Sequence, residues 1–171
     1  ESKQVIIKGN IFRDFKAIST DSWPISVFSG DAETQDISIE NNNFYWTENP
    51  SYDVEGAILV SQDTDALGPK NLNIIGNNIQ SNISFNRTEV GIYFHRQGAQ
   101  ANVGLIFEAN IIGNVINGMQ NGIVLYGVAD SIVSNNIVKD IAHDGIYLAA
   151  PCYRDIVQSN RVADVSKASS G

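Results

Sequence analysis

A short apolar pattern ending in asparagine recurs six times at a nearly fixed spacing, and this constrains the fold more than any other feature. It reads apolar-x-apolar, two residues, Asn, one residue, apolar. Its copies are Val5-Ile-Ile-Lys-Gly-Asn10-Ile-Phe12, Ile37-Ser-Ile-Glu-Asn-Asn42-Asn-Phe44 and Leu72-Asn-Ile-Ile-Gly-Asn77-Asn-Ile79. They continue as Leu105-Ile-Phe-Glu-Ala-Asn110-Ile-Ile112, Ser131-Ile-Val-Ser-Asn-Asn136-Ile-Val138 and Asp155-Ile-Val-Gln-Ser-Asn160-Arg-Val162. The aligned asparagines lie 32, 35, 33, 26 and 24 residues apart. A second pattern, Gly-Ile-x-Leu, starts at Pro24, Gly56, Gly91, Gly122 and Gly145, which is 14, 14, 14, 12 and 9 residues after the preceding Asn. Self-similarity at such a period is the mark of a repeat architecture.

The runs between breaks are short, alternating and rich in Ile, Val and Phe, and none keeps a helical period, so each unit is read as two or three short strands. Asn tolerates the left-handed backbone region, so a single Asn can bend one strand into the next. Stacked coils place such residues about 4.8 Å apart, close enough for their amides to form a ladder. The expected fold is all-β, a solenoid of about five to six coils with parallel strands, right-handed by the general preference of parallel crossovers. Asn10, Asn42, Asn77, Asn110 and Asn136 are expected at equivalent turns with left-handed backbone. A β-sandwich of similar short strands is the alternative fold.

These units resemble the right-handed parallel β-helix of pectate lyases, polygalacturonases and bacteriophage tailspikes. The resemblance covers essentially the whole chain and is carried by the structural residues of the repeat. It implies that the Gly-Ile-x-Leu strands form a sheet that commonly carries the substrate groove, as in a tailspike or polysaccharide depolymerase. The activity motifs of relatives are missing. Ala-His143-Asp144-Gly145 departs from the polygalacturonase pattern, and neither the pectate-lyase arginine pair with its calcium set nor an alginate-epimerase signature is found.

Taking each Gly as the start of its strand, Ile25 and Val27, Ala57 and Leu59, Ile92 and Phe94, Ile123 and Leu125, and Ile146 and Leu148 point inward. The outward set is then Ser26 and Phe28, Ile58 and Val60, Tyr93 and His95, Val124 and Tyr126, and Tyr147 and Ala149. That face is unusually apolar and aromatic, which marks either an interface with another subunit or a ligand groove with platforms for sugar rings. Carboxylates flank it: Glu55, Glu89 and Asp144 before the strands, and Asp31, Asp63 and Asp65 after them. Adjacent coils bring such groups within the range of a glycosidase pair. The candidate catalytic residues are therefore Glu89, Asp63 and Glu55. The candidate substrate-binding residues are Tyr93, His95, Arg96, Tyr126 and Tyr147.

Nineteen acidic and 11 basic residues give a net charge of −8, with the basic ones scattered. That excludes nucleic acid as the expected partner. No apolar run is long enough to span a membrane as a helix. Cys152 is single and forms no internal disulfide. No cofactor and no metal site is expected, since Gln62-Asp-Thr-Asp65 lacks the rest of a calcium loop. The chain starts at Glu1 and ends in Ser-Lys-Ala-Ser-Ser-Gly171 with no evident capping helix. It is read as one domain, 1–171, of a longer chain, or as a protomer of a homo-oligomer, a trimer in the tailspike manner. The expected function is binding and cleavage of a bacterial surface or extracellular polysaccharide, by an extracellular or virion-surface protein. A non-catalytic glycan-binding or adhesive β-helix and a structural shaft segment are the alternatives.

Overall fold

A computed structural model describes residues 3–14, 23–29, 34–47, 55–62, 68–82, 90–96 and 105–165, and among these every regular element is a β-strand. An incomplete first coil holds β1 (Lys3–Lys8) and β2 (Ile11–Arg13). Five three-strand coils follow. They comprise β3 (Ile25–Ser29), β4 (Gln35–Glu40) and β5 (Asn43–Trp46), then β6 (Gly56–Gln62), β7 (Lys70–Ile75) and β8 (Asn78–Ser81). Next come β9 (Val90–Arg96), β10 (Ile106–Ile112) and β11 (Val115–Asn117), then β12 (Asn121–Ala129), β13 (Ile132–Ser134) and β14 (Ile137–Ile141). The last coil is β15 (Ile146–Tyr153), β16 (Ile156–Gln158) and β17 (Arg161–Val165).

Each strand pairs in parallel with its equivalents in neighbouring coils, which builds three walls. The first is β3-β6-β9-β12-β15, the second β1-β4-β7-β10-β13-β16 and the third β2-β5-β8-β11-β14-β17. The chain is a right-handed parallel β-helix, as the repeat implied. Alternate residues of every wall point into one core of stacked Ile, Val, Leu and Phe, among them Ile39, Phe44, Ile58, Ile92, Phe94, Ile111 and Ile123. In the last coil Leu148, Val157 and Val162 take inward positions but stay 38–46% exposed, because no described strand stacks on them.

An asparagine ladder runs up the turn between the second and third walls through Asn10, Asn42, Asn77, Asn114, Asn136 and Asn160. At each step the backbone N–H and side-chain Nδ2 of one Asn donate to the Oδ1 of the next, at 2.9–3.1 Å. From Asn42 onward, Nδ2 also donates to a carbonyl of the preceding coil: Ile7, Ile39, Ile74, Ile111 and Val133 in turn. A shorter ladder spans the other end of the second wall. There Asp155 Oδ1 accepts from Ser131 N, and Ser131 Oγ accepts from Ala109 N.

Two expectations about this ladder are corrected. Its fourth member is Asn114, whereas Asn110 faces outward on the second wall and donates to Asn73 at 3.1 Å. The left-handed residues are those just before the ladder: Gly9, Asn41, Gly76, Gly113, Asn135 and Ser159, at φ of 53° to 70°. The reason is geometric. The left-handed residue turns the chain, and the next residue can then aim its N–H along the coil axis and its side chain inward.

The register of the first wall is corrected at one strand. Ile58, not Ala57, pairs with both Ile25 and Ile92, and Val60 pairs with Val27 and Phe94. Ile58 and Val60 are fully buried, and Leu59 takes the outward place beside Tyr93. The small residues that precede the inward Ile are thus Pro24, Ala57, Gly91, Gly122 and Gly145.

The ladder predicts a contrast between two asparagines four residues apart. Asn114→Leu takes the acceptor from the N–H and Nδ2 of Asn77, removes the side-chain donor to the Ile74 carbonyl and leaves Asn136 Oδ1 one donor of its two, and is expected to cost about 3–5 kcal/mol in urea unfolding. Asn110→Leu loses one partly buried bond and is expected to cost about 1 kcal/mol or less. Phe94 is fully buried in a central coil, so Phe94→Ala is expected to cost about 3–5 kcal/mol in the same measurement.

Candidate functional site: an aromatic groove on the first wall

Locked register stacks the outward side chains of the first wall into columns. One column reads Ser26, Leu59, Tyr93, Val124 and Tyr147. A second runs along the edge where the chain enters this wall: Trp23, Gly56, Val90, Asn121 and Asp144, with Glu55 beside Gly56. Between them lies a groove of about 500 Å³ lined by Trp23, Glu55, Val90, Tyr93, Asn121, Val124, His143, Asp144 and Tyr147. It crosses four coil-to-coil steps, about 19 Å along the axis at the spacing of paired strands.

One wall of the groove is built around Trp23. Its indole Nε1 donates to Glu55 Oε2 at 3.1 Å, and its ring lies against Tyr93 with centroids 6.1 Å apart. The indole sits directly on Gly56. A Cβ there would collide with the Trp23 ring and with the Val90 carbonyl oxygen. Gly56 therefore does not open the inward pattern of its strand, as the sequence suggested, but leaves room for an aromatic platform. Aromatic contact continues along the sheet: Tyr93 stacks on His95 at 5.2 Å, and His95 meets Tyr126 at 6.3 Å.

Short turns before β12 and β15 build the opposite end. His143 N donates to the Gln120 carbonyl at 2.8 Å, and Gln120 Nε2 lies 3.4 Å from His143 Nε2. Asp144 N donates to Asn121 Oδ1 at 3.3 Å. His143 and Asp144 are exposed on the groove rim, and Tyr147 is 48% exposed as the last platform.

Burial, aided by the charge of Glu55 and by Tyr126, raises the Tyr93 phenol above its ordinary range. Tyr93 therefore stays protonated and presents a neutral ring. Burial holds His95 below the usual histidine range. At neutral pH His95 is an uncharged aromatic surface between two tyrosines.

Of the residues expected at the site from sequence, Glu55, Tyr93 and Tyr147 line the groove, and His95 and Tyr126 extend its aromatic row. Glu89 and Asp63, like Asp31 and Asp65, lie outside the described residues. Arg96 departs from its expected place. It follows outward His95, so strand alternation turns it inward at the end of β9, where it is only 3% exposed. Its side chain packs over Gly127, whose Cβ would meet the Arg96 Cβ and Cδ at 2.6 and 2.7 Å. Its Nε has no hydrogen-bond partner among the described residues. Ile58 and Val60, expected on the outer face, are core residues.

Trp23, Val90 and Asn121 are the groove residues to which sequence reading assigned no role, and His143 was placed only beside Asp144 at the strand edge. An aromatic residue immediately before a first-wall strand was the available signal for Trp23.

The described carboxylates of the groove do not form a close pair. Glu55 adjoins the third coil and Asp144 belongs to the last, three steps or about 14 Å apart along the backbone. Glycosidase pairs work at about 5–9.5 Å.

Gly56→Ala should push Trp23 off its seat and strain the β6–β9 contact. The expected result is a loss of about 1–3 kcal/mol in unfolding free energy. A red shift in tryptophan emission should accompany it, since Trp46 stays in the core.

No curated protein and no solved structure matches the chain. A family model described as "NosD: Periplasmic copper-binding protein (NosD)" matches residues 24–169. The described residues do not fit a resident copper ion. No three His, Cys, Asp or Glu side chains come together among them. Met119 is a core residue at 1% exposure, and the Cys152 thiol is turned to the Ala149 and Leu125 carbonyls at 3.0 and 3.6 Å. What the match spans is the succession of coils from the first Gly-Ile-x-Leu strand to the end of the last, and on that extent the chain belongs to the NosD family.

Proposed function

We propose that the first-wall groove binds a polysaccharide of the cell envelope, lying along the coil axis. The observation that carries this reading is the groove itself. Aromatic faces at both ends, Trp23 with Tyr93 and then Tyr147, are interleaved with the polar groups of Glu55, Asn121, His143 and Asp144. Sugars present apolar C–H faces and a rim of hydroxyls, and this combination suits them. The family description supports an exported, periplasmic setting, where envelope glycans are found.

Glu55 and Asp144, the carboxylates among the described groove residues, stand too far apart to act on one bond, so binding is the reading that they support. Hydrolysis would need a second carboxylate much closer to Glu55. Glu55 is the one described carboxylate held at the groove wall by a neighbouring side chain, so it is the residue whose loss would report cleavage.

Tyr93→Ala is expected to weaken binding of envelope polysaccharide fragments by about tenfold or more in calorimetry, since a stacked ring is worth about 1–2 kcal/mol. Thermal unfolding checks that the variant is folded, since the ring also packs against Trp23 and His95. Unchanged affinity would remove the groove as the glycan site. Release of reducing ends by the native chain, lost in Glu55→Gln, would convert the reading from binding to hydrolysis.

A further inference from the structure

We propose that a second groove, on the outer face of the third wall, binds a monoanionic group with two terminal oxygens, a carboxylate or a phosphodiester, carried on a ring-sized apolar body. It lies on a different wall from the glycan groove and shares no residue with it.

The groove holds about 350 Å³ beside β11, β14 and β17. Val115, Ile137 and Ala163 give it an apolar lining, Lys139 and Arg161 two cations, and Asp164 one carboxylate. Strand pairing fixes where the cations stand. Ile137 is opposite Arg161 and Lys139 is opposite Ala163. The cations are therefore diagonal neighbours on adjacent strands, with Cα atoms about 8 Å apart. Side chains of their length converge on one oxyanion at that spacing.

Two observations mark this groove as open to a ligand. The first is that its cations are uncompensated. Lys8 pairs with Glu40, Arg13 with Asp14 and Arg154 with Asp130. Lys139 and Arg161, both exposed, have no ion pair or side-chain hydrogen bond among the described residues. With 19 acidic residues against 11 basic ones, the chain does not lack carboxylates to pair them.

The second is a change of character along the wall. In the earlier coils its outward polar groups satisfy one another. Tyr45 Oη donates to Asn43 Oδ1 at 3.2 Å, Asn78 Nδ2 donates to Tyr45 Oη at 3.1 Å, and Gln80 Nε2 donates to Asn78 Oδ1 at 2.9 Å. In the column that continues Asn43 and Asn78, the next residues are Val115, Ile137 and Arg161. Ile137 is 39% exposed although β11 and β17 flank its strand on both sides.

Local charge sets the ligand class. Two cations and one carboxylate leave a single net positive charge, which suits a monoanion better than a dianion. The guanidinium fork of Arg161 matches a pair of terminal oxygens, and Ile137 with Val115 takes the apolar body. Asp164 then accepts from a ligand hydroxyl.

The test is methyl NMR of the full chain, following Ile137 and Ala163. The probes are cyclohexanecarboxylate, its neutral carboxamide, carboxymethyl-dextran and plain dextran. Cyclohexanecarboxylate is expected to shift both methyls and to bind about tenfold more tightly than the carboxamide, as one charge-assisted contact implies. Lys139→Gln and Arg161→Gln should each remove most of that preference, with a thermal melt confirming that each variant is folded. Lys8→Gln, on the second wall, and Tyr93→Ala, in the glycan groove, should leave it unchanged. Shifts with carboxymethyl-dextran but not with plain dextran or the free acid would assign the group to a polymer. Shifts with the free acid alone would assign it to a small solute, and either result supports the site. Equal binding of acid and carboxamide would overturn it. So would a preference that falls as far in Lys8→Gln as in the groove variants, since that marks diffuse attraction. Silence of both methyls toward the free acid and carboxymethyl-dextran would remove the site altogether.

Discussion

The buried asparagine ladder is the constraint on which the rest of the structure depends. Asn42, Asn77, Asn114 and Asn136 are fully buried, and each uses its Oδ1 for two donors and its Nδ2 for two acceptors in the coils on either side. A buried amide is tolerable only when its hydrogen bonds are made. Slipping one coil against the next by a single residue would break the set. Apolar contacts supply most of the favourable free energy, but they are non-directional, and a column of Ile and Val accepts several registers. The ladder accepts one.

Parallel pairing then carries a single register from coil to coil along each wall. The outer face of the first wall is therefore an array of columns with a spacing of about 4.8 Å along the axis. Side chains far apart in the chain meet there: Trp23 with Glu55, 32 residues on, and Gln120 with His143, 23 residues on. The same array limits chemistry. Groups in adjacent coils can act together, whereas Glu55 and Asp144, three coils apart, suit two positions on an extended ligand rather than one reacting bond.

Parity along a strand decides the electrical character of the groove. In β9 the order Tyr93, Phe94, His95, Arg96 alternates outward and inward, so the aromatic and imidazole rings face the groove and the guanidinium does not. With Arg96 inside and His95 held neutral by burial, the fixed charges that the described residues bring to the groove are carboxylates. Family membership does not alter this balance, because the family match follows the coils and the described side chains offer no set of donors for copper.

The repeat, the all-β parallel solenoid, the count of coils and most of the core were legible in the sequence, because a coil must place the same residue types at the same points to stack on its neighbour. Tyr93, Tyr147 and Glu55 were legible for the same reason, as outward or flanking positions of a visible strand pattern. Three features were not. Asn110 and Asn114 both satisfy a loose Asn pattern, and strand pairing decides for Asn114 by setting Asn73-Ile-Ile-Gly-Asn77 against the identical block Asn110-Ile-Ile-Gly-Asn114. In β6 a glycine stands one place early, and since strand side chains alternate with period two, that single offset exchanges inside and outside. Trp23 acquires its role only from Gly56 and Glu55 in the coil above. Local sequence thus determined what kind of coil forms and how many there are. Interstrand pairing alone decided which side chains share a face, because that depends on hydrogen bonds between residues more than twenty positions apart.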